Sequence, residues 1–309
     1  MKFVTFVEND GPDRLGALLS SGDVVVDLSA QFPSMLALID GGPEALTIAR
    51  VAQERRAVTQ PLANLRLKAP LPEPRQMRDC LSFEKHLRQA RQAALRRRAG
   101  IFAPLLQGFG FGRIPKVWYE QPIYYKCNRF SVIGPDAEVT WPAYSKLMDF
   151  ECEYGIVIGK RGKNIPREKA LEHIFGYCIF NDFSARDAQS REMAGGLGPA
   201  KGKDFDTGNA LGPWLVTADE IPDPGKLTMI ARVNGVEWSR GSSADMYHKW
   251  EDIIAHISKD ETLHAGEFIG SGTVGGGCGL EQGRFLQSND VVELEVSGLG
   301  ILRNRVIGS

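Results

Sequence analysis

The chain has 309 residues, 43% hydrophobic and 24% charged, enough to bury a full core and long enough for one large domain with a small companion. Its 37 basic and 38 acidic residues leave a net charge of −1, which offers no general field to nucleic acid or an anionic membrane and sets both aside as partners. Cys80, Cys127, Cys152, Cys178 and Cys278 form no Cys-x-x-Cys pair, no apolar run reaches about 18 residues, and the N-terminal stretch turns acidic at Glu8. The expectation is a cytoplasmic protein without disulfide framework, zinc ribbon, signal segment or membrane span.

In chain order, short strands at 2–7 and 24–28 and a helix over 43–56 predict a small N-terminal α/β domain across residues 1–70. It closes at the proline-dense linker Pro70-Leu71-Pro72-Glu73-Pro74, leaving 75–309 as the main domain. Ser82 is placed to cap a helix running to about Arg98; its basic residues Lys85, Arg88, Arg91, Arg96, Arg97 and Arg98 read as an anion-binding face, or as a solvated face or lid. A strand over 147–158, a helix from Pro166 to Phe175 stopped by Gly176, a strand over 177–180 and a short helix from Ser184 follow. After a Gly/Pro-rich passage come strands at 214–216 and 228–233, an amphipathic helix with Met246, Trp250, Ile253 and Ile257 on one face, and closing strands at 291–296 and 301–307. His248 and His256 lie off that apolar stripe and read as solvated.

Glu151-Cys152-Glu153 is the most telling stretch, because a strand period of two puts both carboxylates on one face, about 6 to 7 Å apart. Two like charges beside an apolar strand need a cation or a basic partner, and a hard divalent metal is the simplest. Asp182, where the chain leaves the strand 177–180, makes a third oxygen ligand, a set suited to Mg²⁺ or Mn²⁺ with positions open for a chelating substrate. Taken singly, each acid reads more often as a turn or capping residue than as a ligand.

Arg186 and Gln189 share a helix face as substrate clamps or as a solvent-facing pair. Lys201 and Lys203, in a glycine-bounded loop with Asp204 and Asp206, put an ammonium beside an anionic substrate or form a surface turn. His86 follows Asp79 by nearly two helical turns and is of the type that removes a proton from water, although a lone helical histidine is more often structural or solvated. Gly270-Ser271-Gly272-Thr273-Val274-Gly275 matches G-x-G-x-x-G formally, but Gly276, Gly277, Cys278 and Gly279 stand where a dinucleotide-binding helix would begin. It reads instead as a loop whose N–H groups and Thr273 hydroxyl hold a carboxylate or oxyanion.

Together, Phe150-Glu151-Cys152-Glu153, Asn181-Asp182-Phe183-Ser184-Ala185-Arg186-Asp187-Ala188-Gln189, Gly202-Lys203-Asp204-Phe205-Asp206-Thr207 and Gly270-Ser271-Gly272-Thr273 resemble the fumarylacetoacetate hydrolase family, over residues 75–309. The resemblance implies an α+β, mostly β fold: a mixed β-roll catalytic domain behind a variable N-terminal one, assembled as a homodimer. It also implies a divalent metal (Mg²⁺, or Mn²⁺ or Ca²⁺) on Glu151, Glu153 and Asp182, with Asp79 of the Asp-x6-His segment as fourth ligand. His86 becomes the base, oriented by Glu281. Arg186, Gln189, Lys203 and Thr207 become substrate or catalytic contacts, with Thr273 on the substrate carboxylate and either Tyr124 or Tyr125 as a further contact. The implied activity is C–C bond hydrolysis in a fumarylacetoacetate- or acylpyruvate-like β-diketo acid by His-activated water. The same scaffold implies as alternatives an oxaloacetate-type decarboxylase, a tautomerase or a sugar-acid dehydratase, and outside catalysis a metal-stabilised binding protein. The stretch 99–130, with Phe109, Phe111 and Trp118, is expected to shape the pocket.

Overall fold

A computed structural model describes residues 1–56 and 58–308. The apolar runs become strands of two main sheets. The larger is twelve-stranded, with the order Thr59–Pro61, Val24–Asp27, Arg14–Leu18, Lys2–Val7, Asn209–Thr217, Ile174–Asp182, Cys152–Ile158, Phe268–Gly270, Met77–Cys80 and Tyr124–Lys126; two further short strands pair off this path. Cys152–Ile158 and Ile174–Asp182 are buried at every position, so both faces are covered, which is why neither alternates cleanly in sequence.

The second sheet holds Val236–Ser242, Thr228–Val233, Val291–Val296, Gly300–Ile307 and Glu138–Thr140. Its alternating inner residues Val292, Leu294 and Val296 share a core with Phe150, with Tyr154 and Ile156 of the large sheet, and with Trp250, Ile253, Ile254 and Ile257 of the helix Trp250–Ile257. Strands predominate, in the α+β, mostly β arrangement expected.

The N-terminal segment joins this sheet edge to edge: Lys2–Val7 runs antiparallel to Asn209–Thr217, pairing Phe3 with Leu215. Phe3, Leu15, Val26 and Leu38 share a second core with Val157, Phe175, Phe180 and Leu215. The proline-dense stretch near residue 70 is therefore crossed by a continuous sheet and a continuous core.

Several local readings change. The helix Glu84–Ala99 starts after Phe83, which is held by a β-bridge to Met246, and the buried Ser82 hydroxyl has no partner instead of capping the helix. Residues Arg167–His173 form a 3₁₀ helix, and Gly176 lies within the following strand because Ile174 already pairs with Ile158. The 147–158 strand is split: Met148–Asp149 pairs with Ser184–Ala185, and Glu151 bridges to Cys278. His248 is buried, its Nε2 2.6 Å from the Trp118 carbonyl, so it is not solvated; a contact 130 residues away in sequence covers it. Among the described residues no helix is long and apolar enough to cross a membrane, and all five cysteines are free and buried.

Candidate metal and catalytic site

Three strands of the large sheet deliver three carboxylates to one place. Asp79 lies on Met77–Cys80, Glu153 on Cys152–Ile158, and Asp182 ends Ile174–Asp182. One oxygen of each lies within 4.8 Å of the others, and all three residues are buried. Tyr125, on the edge strand, donates its hydroxyl to Asp182 Oδ2 at 2.6 Å. Those two strands are four steps apart in the sheet, about 19 Å if it were flat, far beyond a tyrosine's reach. The sheet must therefore roll around the site, bringing the two together.

Glu151 faces a different set of partners. Lys203 Nζ donates to Glu151 Oε2 at 2.5 Å and to Asp182 Oδ2 at 2.6 Å, and Arg186 Nη2 donates to Glu151 Oε1 at 2.7 Å. Gly270, paired in register with Asp79, leaves room for that carboxylate, since a side-chain carbon there would meet Asp79 Oδ1 at 2.4 Å.

The charges do not balance. Burial, then the charge of Asp182, pushes Asp79 up to about 8. Burial and the neighbouring Asp79 push Glu153 well above the carboxylate range. Burial raises Asp182 to about 6, although Lys203 pulls it down. Glu151 goes the other way: burial works to raise it, but Arg186 and Lys203 outweigh burial and hold it low. Burial likewise opposes the Lys203 charge, yet Asp182 and Glu151 keep that ammonium well protonated.

Counting Asp149, which also bonds Arg186, five buried carboxylates thus stand against two cations, and Asp182 Oδ1 is buried without a hydrogen-bond partner. That orphaned oxygen and the excess of acidic groups over bases are what a bound divalent cation would relieve, and a set of carboxylate oxygens is the donor set of a hard ion. The residues present fit such an ion.

His86, buried in the first turn of Glu84–Ala99, stands beside this cluster. Its Nδ1 is 3.4 Å from Glu281 Oε1 and its Nε2 4.0 Å from Glu151 Oε1. Glu281 is itself held, accepting from the N–H of Gly276 at 3.0 Å and of Cys278 at 3.2 Å.

Asp149 has a place that the sequence reading does not assign. Fully buried, it accepts from Arg186 Nε at 2.8 Å, Gly279 N–H at 2.7 Å and Leu280 N–H at 2.8 Å, tying the arginine to the turn that carries Glu281. Gly279 permits this, since a side-chain carbon there would lie 2.7 Å from Asp149 Oδ1. The available signal is the period-two series Asp149, Glu151, Glu153.

The other expected contacts divide. Gln189 Oε1 accepts from Arg186 Nη1 at 3.0 Å, inside the site. The glycine loop does hold a carboxylate, but the protein's own: Gly272 N–H lies 2.9 Å from Glu153 and 3.1 Å from Asp79, and the Thr273 hydroxyl 3.2 Å from Glu153. Tyr124 points away, packing on the core with its ring 6.4 Å from that of His256, so Tyr125 alone of the pair meets the carboxylates. Thr207 also lies apart, accepting from Thr140 N–H at 2.9 Å.

A sequence profile described as the C-terminal domain of fumarylacetoacetate (FAA) hydrolase matches residues 78–307. The chain belongs to the fumarylacetoacetate hydrolase family. A relative named as a mitochondrial oxaloacetate tautomerase, fahd2, of Xenopus laevis is 33% identical over 315 residues, spanning 99% of this chain and 90% of its own length. Among solved family structures, fumarylacetoacetate hydrolase from Exiguobacterium antarcticum superposes with a TM-score of 0.77 at 28% identity, covering all of both chains. Maleylpyruvate hydrolase from Sphingobium, solved in complex with manganese(II) and pyruvate, shares the fold at a TM-score of 0.76 and 23% identity, again over all of both chains.

Proposed function

We propose that this member of the family is a metal-dependent enzyme of keto–enol chemistry, acting first as a tautomerase of oxaloacetate or a closely similar 2-oxo dicarboxylic acid. The observation that carries the reading is the buried trio Asp79, Glu153 and Asp182, with its orphaned Asp182 oxygen, beside the His86–Glu281 pair. The kinship with an oxaloacetate tautomerase over nearly the whole chain supports the choice among the family's reactions. A divalent cation (Mg²⁺ or Mn²⁺) on Asp79, Glu153 and Asp182, with Glu151 adjoining, would supply a Lewis acid for the 2-oxo group and its carboxylate.

The chain's own residues do the rest. Glu281 lies close against the Nδ1 side of His86 and leaves Nε2 to take the proton from the enol oxygen and deliver it to the carbon between carbonyl and carboxylate, or to run the same transfer in reverse. Lys203 Nζ and the Arg186 guanidinium, fixed beside the carboxylates, donate to the oxygen on which negative charge gathers. A preorganised donor in that position is worth roughly 3 kcal/mol of barrier. Arg186 is itself oriented by Asp149 and Gln189.

The second reading is hydrolysis of an acylpyruvate-like β-diketo acid, which the buried His86–Glu281 pair favours because it can activate water. Water would add to the ketone carbon, and the C–C bond would break to give a carboxylic acid and a protonated keto acid. Decarboxylation needs no such base. We read the protein as a homodimer in a reducing compartment, the cytoplasm expected above or a mitochondrion as in the named relative, consistent with five buried free thiols.

With Mg²⁺ or Mn²⁺ present, enol oxaloacetate and a panel of acylpyruvates separate these readings. Metal-dependent decay of enol absorbance with oxaloacetate intact supports tautomerisation; release of pyruvate and a carboxylic acid supports hydrolysis. No metal-dependent change with any of them refutes both and leaves a binding protein.

A further inference from the structure

We infer that His86, Cys278 and Glu281 form a second cation site, selective for a soft divalent ion of the zinc class and separate from the carboxylate trio. One ligating atom of each lies within 4.8 Å of the other two. Glu281 Oε1 is 3.4 Å from His86 Nδ1, and Glu281 Oε2 is 3.3 Å from Cys278 Sγ. Neighbouring donors of a tetrahedral zinc stand about 3.3 to 3.6 Å apart at ordinary bond lengths, so little movement is required.

An independent observation points the same way: His86 is 5% exposed, and its Nδ1, aimed into this group, makes no hydrogen bond, because Glu281 Oε1 approaches to 3.4 Å without the alignment of one. The backbone already orients the set, since the N–H groups of Gly276 and Cys278 hold Glu281, and Cys278 is at the N-cap of the turn Gly279–Gln282. A neutral imidazole, a thiolate and a carboxylate neutralise a dication, which a buried site demands. Binding releases the thiol proton and replaces the S–H bond to Glu281 with a metal–sulfur bond. The hard-ion trio offers only oxygen, whereas this group offers nitrogen, sulfur and oxygen, so the two prefer different ions. Occupation removes Glu281 from His86 Nδ1 and takes the pair out of service, making the site inhibitory under either catalytic reading.

The test is a Cd²⁺ titration of the full chain preloaded with Mn²⁺, following the thiolate-to-metal absorption band and the Mn²⁺ signal. The expected result is one equivalent of Cd²⁺ with the band, no release of Mn²⁺, and loss of the band in Cys278→Ser and His86→Ala; Cys80, Cys127, Cys152 and Cys178 serve as internal controls. Cadmium NMR of the unaltered chain gives a variant-free check, one sulfur donor being expected. Absence of the band, its persistence in Cys278→Ser, or Cd²⁺ entering only as Mn²⁺ leaves overturns the proposal. No substrate is used, so the outcome stands apart from the reaction assigned above.

Discussion

The two faces of the strand Met77–Cys80 carry buried charge in opposite ways. Arg78 and Asp79 are adjacent and so point to opposite sides. Arg78, among the largest fully buried side chains, is gripped by Glu267 and by Glu261 at 2.5 Å. Burial works against its charge, but Glu267 and then Glu261 outweigh burial and keep the guanidinium firmly protonated; Glu261 reaches water, which absorbs the surplus charge. Asp79 faces a closed group in which acids outnumber bases and one oxygen has nothing to bond. The first arrangement completes itself and braces the fold; the second leaves acids in excess and an oxygen unpaired, which the cation proposed above would complete.

Each side of this contrast can be broken. His86→Ala should retain Mn²⁺ binding yet lower turnover of whichever keto acid is processed by about 10²- to 10⁴-fold; near-normal turnover would remove His86 from the chemistry. Arg78→Met leaves Glu267 buried without its partner, and chemical denaturation should show a loss of about 3 to 5 kcal/mol. A loss confined to metal affinity would mean that the brace serves the site and not the fold.

The pH dependence of stability tests the unbalanced side. Asp79 is raised to about 8 and Asp182 to about 6, so the metal-free folded state holds protons that the unfolded chain has released. Their stabilising contribution is complete below the unfolded carboxylate range, near about 4, and is lost as pH climbs through those values. The metal-free melting temperature should therefore fall between about pH 5 and pH 8, while Mg²⁺ or Mn²⁺ should restore it most strongly at the upper end. Thermal melts across that range, with and without metal, check both signs. The smallest effect belongs to Tyr125→Phe, which removes one hydroxyl from Asp182 and should cost about 1 kcal/mol of stability.

How much of this was legible in the sequence follows from the distance over which each feature is decided. Glu151 and Glu153 are set by strand alternation, and Thr228–Val233 and Val291–Val296 by local apolar pattern, so they read directly. Choosing Tyr125 over Tyr124 depends on the pairing of Asp79 with Tyr125 and on the roll of a whole sheet, neither of which is local. His248 reads as a polar position off the apolar stripe, yet it precedes the helix Trp250–Ile257 and is buried by Trp118 from elsewhere. Asp149 resembles an ordinary strand-end residue until the turn at Gly279 folds onto it. The separation of Glu151 from the trio is invisible without knowing that Lys203 and Arg186 converge on it.

The central claim is that Asp79, Glu153 and Asp182 seat one hard divalent ion. Calorimetric titration of the purified protein with Mn²⁺ tests it directly, run beside Asp182→Asn. One equivalent bound by the unaltered chain, with binding abolished in the variant, is the predicted result. Undetectable binding by the unaltered chain, or unchanged binding by Asp182→Asn, would contradict the account.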